Sequence, residues 1–359
     1  MSTKVTEADS GNRNDQEIEQ IAESLGITLD KTQLNIGGER SIQSPDKFVL
    51  TGVKNSTQEK VVLKCAIEAA GAEEIEQEHN VRQSLKGLPF AEQDLIMPEE
   101  IFYGSRIGYT VSVTAFIEQD KVFTDYKIQE QFFMSLQALE CQESFHVTTR
   151  EHHSSIRDQF QIHSPNFYLS DAEEMSLNIK EAWPNSAEQL NRATQYLNDN
   201  KDILNSFNGY LIHSDFVPHN FRIKDRQLYL LDFVSFRLGN KYESWARLIN
   251  FMEIHSPELV SKLLNYVKND RGESEYQSLR LMRLYKIIFL LDYYANSYTK
   301  TSGDLKKLTE ARLVFWTEAL KSILEDTAID PQVVKDYYEK RDLLRTPTEK
   351  ERQRQFTWA

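Results

Sequence analysis

A chain of 359 residues, 40% of them hydrophobic, can bury a large core and is long for a single domain, so two lobes are expected. The 42 Lys and Arg against 55 Asp and Glu leave a formal charge of −13, which argues against general nucleic-acid binding through phosphates and would suit a cationic partner. Only Cys65 and Cys141 are present, without metal or redox spacing, and neither an apolar leader nor a bilayer-length apolar run occurs, so a cytoplasmic protein without a membrane partner is expected.

In chain order, residues 1–15 are polar and read as a disordered tail. A short amphipathic helix is predicted over Gln16–Leu25, within a strand-rich lobe spanning 16–118. Leu34-Asn35-Ile36-Gly37-Gly38-Glu39-Arg40-Ser41 precedes an extended run, Lys47–Val53. Glycines between two strands let backbone amides approach phosphate oxygens, although Gly-Gly is also an ordinary hairpin turn. Val61-Val62-Leu63-Lys64-Cys65 is an apolar strand holding one Lys, an unfavourable place for an ammonium unless an anion meets it. The helical stretch Ala72–Leu85 offers Glu74, Glu76 and Glu78, and Tyr109–Glu118 is again β-rich and apolar. From 119 to 345 helical periodicity dominates, first over Asp125–Phe145, Ser170–Trp183 and Ser186–Phe207.

The most informative segment follows: His213-Ser214-Asp215-Phe216-Val217-Pro218-His219-Asn220, then Leu231-Asp232-Phe233. An Asp, an Asn five residues on and a second Asp ending an apolar strand are what phosphoryl transfer from a metal nucleotide requires, because that reaction needs positioning and charge neutralisation more than covalent help. Asp215 suits the task of orienting the acceptor hydroxyl and taking its proton. Asn220 and Asp232 supply the hard oxygen ligands that Mg2+ prefers. His213 is read as a scaffold residue. Phe221–Ile223, the polar turn Lys224-Asp225-Arg226 and Leu228–Leu231 read as a hairpin. An accidental match to the loop's frame is expected on the order of once in a hundred chains of this size, so chance is the weaker explanation.

Beyond it, helices are predicted over Tyr242–His255, Pro257–Asn269, Glu275–Ser297, Asp304–Asp326 and Pro331–Leu344, with a loose charged tail over 346–359. His152-His153 lacks a third ligand at a usual spacing and reads as a loop or helix start rather than a metal site. His219 is expected to pack. Tyr285, Tyr293, Tyr294, Trp245 and Trp316 fall at helical spacing and read as core rather than as a box for a quaternary ammonium.

The segment from Leu211 to Asn250 resembles the aminoglycoside phosphotransferase and choline kinase group of small-molecule kinases, whose catalytic loop commonly reads H-G-D-x-x-P-x-N. Here His213, Asp215, Pro218 and Asn220 match, and Ser214 stands where Gly is usual. The resemblance implies an α+β, bilobal protein-kinase-like fold with a small antiparallel-sheet N-lobe and a larger, mainly helical C-lobe. It also implies that Lys64 meets the nucleotide phosphates, with Glu78 as its paired carboxylate and Glu76 or Glu74 as alternatives. By the same resemblance Gly37, Gly38 and Ser41 belong to the phosphate-covering loop, Glu118 ends the hinge, and Asp232 is a metal ligand. The group's Gly and following helix look like Gly239–Ala246, but its structural Asp is replaced by Ser244, and Val234 stands where many members carry a second acid.

The function expected is transfer of the γ-phosphate of ATP, or GTP, with Mg2+, to a hydroxyl of a small metabolite or aminoglycoside-like acceptor. The alternative is a catalytically impaired kinase fold that senses a nucleotide or ligand. A protein kinase is disfavoured, since no Asp-Phe-Gly and no activation segment lie between Asp232 and Gly239.

Overall fold

The computed structural model describes residues 7–31, 47–88, 96–119, 121–157 and 159–346, with side chains from residue 16 onward. The segment carrying Gly37, Gly38 and Ser41 lies outside the described residues, as does the tail from 347. The described residues fall into two compact units, one within Met1–Gly87, Ile96–Asp120 and Arg222–Val234, the other within Leu88–Leu95, Lys121–Phe221 and Ser235–Ala359.

The first unit begins with helix α1 (Glu7–Ser24), which starts earlier than the helix expected from Gln16. Strands β1 (Ile27–Leu29), β2 (Phe48–Lys54) and β3 (Lys60–Ala66) lead to helix α2 (Ala69–Gly87), and β4 (Glu100–Arg106) and β5 (Tyr109–Ala115) follow. All five strands pair antiparallel in the order β1-β2-β3-β5-β4. The turn joining β4 to β5 carries positive φ at both Ile107 and Gly108, the twist a two-residue hairpin needs. Period-2 alternation along β3 turns Val61, Leu63 and Cys65 into a core that Ile18, Ile21 and Ala22 of α1 complete. Lys64 is thereby sent to the opposite face of the sheet.

The second unit is mainly helical: α3 (Ile128–Glu143), α4 (Arg150–Ile156), α5 (Pro165–Ala182), α6 (Ala187–Asp199) and α7 (Lys201–Ser206), with the short strand β6 (Gln161–Ile162) before α5 and β7 (Asn208–His213) after α7. Ser164 caps α5, accepting from the Phe167 amide at 3.2 Å, and Pro165 occupies its first turn, so this helix begins before the Ser170 expected. The hairpin β8 (Phe221–Lys224) and β9 (Gln227–Leu230), which belongs to the first unit from Arg222 on, comes next in the chain, and β10 (Phe236–Asn240) returns to the second unit. Strand β10 pairs antiparallel with β7 and parallel with β6, a small sheet that the sequence reading did not anticipate.

The remaining helices are α8 (Tyr242–His255), α9 (Pro257–Tyr266), α10 (Glu273–Lys300), α11 (Gly303–Leu324) and α12 (Pro331–Leu344). Helix α10 is the central one, with Leu279, Leu281, Leu284, Ile287, Ile288 and Leu291 all fully buried. Burial all round a helix marks a core element rather than a surface one. Trp245, Tyr285 and Trp316 are core side chains, as their helical spacing indicated.

Candidate functional site

The first unit carries one chain of charged contacts. Lys64 Nζ donates to Glu78 Oε2 at 2.5 Å, and Arg82 donates to Glu78 Oε1 at 3.1 Å and to the Pro98 carbonyl at 3.0 Å. Burial alone would raise the Glu78 carboxyl, but the two cations outweigh it and hold the group at about 2. Glu76 is exposed, and Glu74 is exposed and bonded instead to Lys47, so Glu78 is the acid that meets the strand Lys. The guanidinium of Arg82 also lies over the Phe233 ring at 4.2 Å, which ties the residue after Asp232 to α2. Asp232 has φ +56, a left-handed backbone that costs an L-residue about 1–2 kcal/mol and that persists where the surroundings demand it.

The second unit positions Asp215 in the loop leaving β7. Its Oδ2 accepts from Asn220 Nδ2 at 2.8 Å, and its Oδ1 accepts from Arg247 Nε at 2.7 Å. Asn220 Nδ2 also donates to the Asp215 carbonyl at 2.8 Å. With its amide nitrogen so engaged, the Asn220 Oδ1 has no partner among the described residues and is the oxygen that fits a hard cation. Burial would raise the Asp215 carboxyl, but Arg247 more than offsets this and keeps it well below the usual carboxylate range.

Behind the loop, His213 is fully buried with its ring edge-on to Phe216 and Phe236. Its amide donates to Gln142 Oε1 at 3.0 Å, and Ser244 Oγ donates to the same oxygen at 2.8 Å and to the His213 carbonyl at 3.1 Å. A Ser paired with a Gln from α3 thus ties down the loop at the position where the resemblance expects an Asp. Ser214, in place of the usual Gly, donates from Oγ to the Ser235 carbonyl at 2.9 Å.

A buried ionic group lies deeper. Glu243 accepts from Arg237, from Lys286 Nζ at 3.1 Å and from the Tyr168 hydroxyl at 2.7 Å, and Lys286 Nζ also donates to the Ser214 carbonyl at 2.9 Å. Gly239 is required here: a Cβ on it would collide with the buried Tyr168 hydroxyl. Burial pulls the Lys286 amine down to about 8 against the attraction of Glu243.

Arg82 and Arg247 were missed in the sequence, although both had a signal. Arg82 follows Glu78 by four residues on one helix face, and Arg247 follows Ser244 by one turn. Gln142 and Lys286 had none, because they come from helices remote in the chain. His152 is buried in α4, capped through Thr149, and His219 packs edge-on to Phe251. Among the described residues no three His, Cys, Asp or Glu side chains gather as a metal centre, and no helix is long and apolar enough to cross a membrane.

No protein-family model and no curated protein sequence matches the chain. Solved structures do. A macrolide 2'-phosphotransferase type I superposes with a TM-score of 0.56 at 14% identity, covering 87% of this chain and 99% of the other. The GDP complex of aminoglycoside 2'-phosphotransferase-IIIa gives 0.57 at 14%, covering 88% and 97%. The chain has the aminoglycoside phosphotransferase fold. A thermostable mutant of aminoglycoside phosphotransferase APH(4)-Ia in ternary complex with ADP and hygromycin B agrees, at 0.57 and 14% over 86% and 98%. The five-stranded antiparallel sheet followed by a mainly helical region is that fold's order of parts.

Proposed function

We propose that this chain is a small-molecule kinase that transfers the γ-phosphate of ATP, or GTP, to a hydroxyl of a small acceptor. The observation that carries the reading is Asp215, a carboxylate held ionised by Arg247 and fixed by Asn220 at the end of a buried strand. Lys64, braced by Glu78, would bind the nucleotide phosphates, and Asn220 and Asp232 are the residues that would hold Mg2+. When bound, the metal supplies neutralisation of the phosphate charge. Asp215 orients the acceptor hydroxyl and takes its proton as the new oxygen–phosphorus bond forms and the bond to the leaving nucleoside diphosphate breaks. The phosphate-covering role belongs to Gly37, Gly38 and Ser41. The solved structures of this fold that hold ADP or GDP, and hygromycin B, support the nucleotide and a hydroxylated acceptor. Action in the cytoplasm, where nucleotide is available, belongs to the same proposal.

The test is Mg2+-dependent transfer from ATP and GTP to a panel of hydroxylated acceptors, for the parent and Asp215→Asn. A loss of about 10²–10⁴-fold with nucleotide binding retained is expected; a variant as fast as the parent would remove Asp215 from the mechanism. A second reading, a nucleotide or ligand sensor, is favoured by Val234 in place of a second acid. It requires that the parent bind nucleotide and transfer nothing.

A further inference from the structure

Around the loop of the second unit the local charge runs against that of the whole chain. Three cations, Arg237, Arg247 and Lys286, meet two carboxylates, Asp215 and Glu243, and each carboxylate is already committed: Glu243 to Arg237, Lys286 and Tyr168, Asp215 to Arg247 and Asn220. One positive charge is left over. It is best placed on Arg247, which engages Asp215 through Nε alone; its two terminal amino groups have no partner among the described residues, and its side chain is 18% exposed. A largely buried guanidinium, over the Phe251 ring at 5.9 Å and with its terminal amino groups unengaged, is a fork that suits an oxyanion.

The direction of that fork follows from Asp215. Asn220 holds Oδ2 and Arg247 holds Oδ1, so the two lie on opposite sides of the carboxylate. Asn220 is the metal and nucleotide side in the proposed mechanism, which leaves Arg247 on the side of the acceptor. Arg247 also acts on the ionisation of Lys286 and Tyr294 of α10. Along that helix Phe289 and Tyr293 stand about half exposed, at 48% and 49%, with the Lys286 ammonium 5.2 Å from the Phe289 ring. The α10 aromatics offer an apolar floor, and the Arg247 fork, with the Phe251 ring 5.9 Å from its guanidinium, offers one anion contact.

We propose that the acceptor carries an oxyanion, a carboxylate or a phosphate, near the hydroxyl to be phosphorylated, and that Arg247 is the residue that reads it. This rests on the kinase reading of the same site. It departs from the polycationic acceptor that the net charge of −13 would suggest.

The experiment is thermal stabilisation of the full chain by charge-matched probes: gluconate, gluconamide and glucamine as one skeleton, glycerate, glyceramide and 3-amino-1,2-propanediol as another, and glucose 6-phosphate against glucose. The acid members are expected to stabilise at concentrations on the order of ten-fold lower than their amide and amine partners, the difference a charged hydrogen bond confers. Arg247→Gln should erase that preference, and Arg247→Lys should keep part of it, which guards against a variant that merely fails to fold. Amine members that match or exceed the acids, an acid preference that survives Arg247→Gln, or no response to any acid overturns the proposal. So does a loss of ADP stabilisation in Arg247→Gln larger than the loss for the acids, which would assign the guanidinium to the nucleotide instead. An acid preference in a protein that never transfers phosphate would sink the kinase reading alone, and transfer confined to amine-bearing acceptors would sink this inference alone.

Discussion

Two carboxylates, Glu78 in the first unit and Glu243 in the second, are both held at about 2 against burial, yet they are built differently. Glu78 meets one cation from a strand and one from its own helix, and the strand cation Lys64 remains 18% exposed. Glu243 is wholly buried and gathers Arg237 from β10, Lys286 from α10 and Tyr168 from α5. A pair that can reach water tolerates rearrangement. A pair that cannot is an all-or-nothing element, because removing one charge strands the others in low dielectric. The contrast suits the proposed roles, since a residue that binds phosphate must be reachable and a brace behind a catalytic loop must not move.

The sharpest way to break this comparison is to neutralise each acid. Glu243→Gln leaves Arg237 and Lys286 without their carboxylate and is expected to lower the unfolding free energy by about 3–5 kcal/mol. Glu78→Gln leaves Lys64 able to turn to water and should cost about 1–3 kcal/mol while weakening nucleotide binding. Urea denaturation of the two full-length variants decides it: equal losses would mean that Glu243 is no more a keystone than Glu78.

The same difference explains what could be read in the sequence. A lone Lys in an apolar strand is conspicuous because solvation forbids it without a reason, and its acid lay on the next helix within a short stretch of chain. The meeting of Asp215 with Asn220 was legible because both lie in one short loop. The brace behind them was not, because Gln142, Ser244, Glu243 and Lys286 are polar residues scattered over some 145 positions whose meaning arises only when the helices pack. The helices themselves declared their periodicity, whereas β6 has only two residues, both exposed, and β7 and β10 are too nearly buried on both faces to show alternation.

A second, smaller test addresses the replacement of the expected Asp by Ser244. If Gln142 and Ser244 act as one unit under His213, Gln142→Ala and Ser244→Ala should each cost about 1–3 kcal/mol. Their double variant should cost less than the sum, by a coupling of roughly 0.5–3 kcal/mol. Strict additivity in a double-mutant cycle would mean that the shared oxygen of Gln142 is incidental and that some other contact steadies the loop.

The smallest expected effect lies at His163, buried beside the Glu243 group with its ring 3.9 Å from that of Phe167. Burial, helped by Arg237 of β10 and Lys286 of α10 and opposed by Glu243 of α8, lowers its pKa from 6.5 to about 4. The native state therefore stays unprotonated at a pH where the unfolded chain takes up a proton. The stability this provides is complete above pH 6.5 and is lost as pH falls towards 4, a change of about 1–2 kcal/mol between pH 7 and pH 5 by linkage. Glu243 and Glu78, whose ordinary value is 4.5, contribute to the fall only below that range. Denaturation of the parent and of His163→Gln at pH 7, 6 and 5 separates the contributions: the variant should lose the His163 share of the slope between pH 7 and pH 5 and keep the share of His255, which burial lowers to about 3, and of His146, which burial also lowers. A variant with the parent's full slope between pH 7 and pH 5 would show that His163 accepts a proton in the folded chain, and that the cationic excess around Glu243 is weaker than the geometry implies.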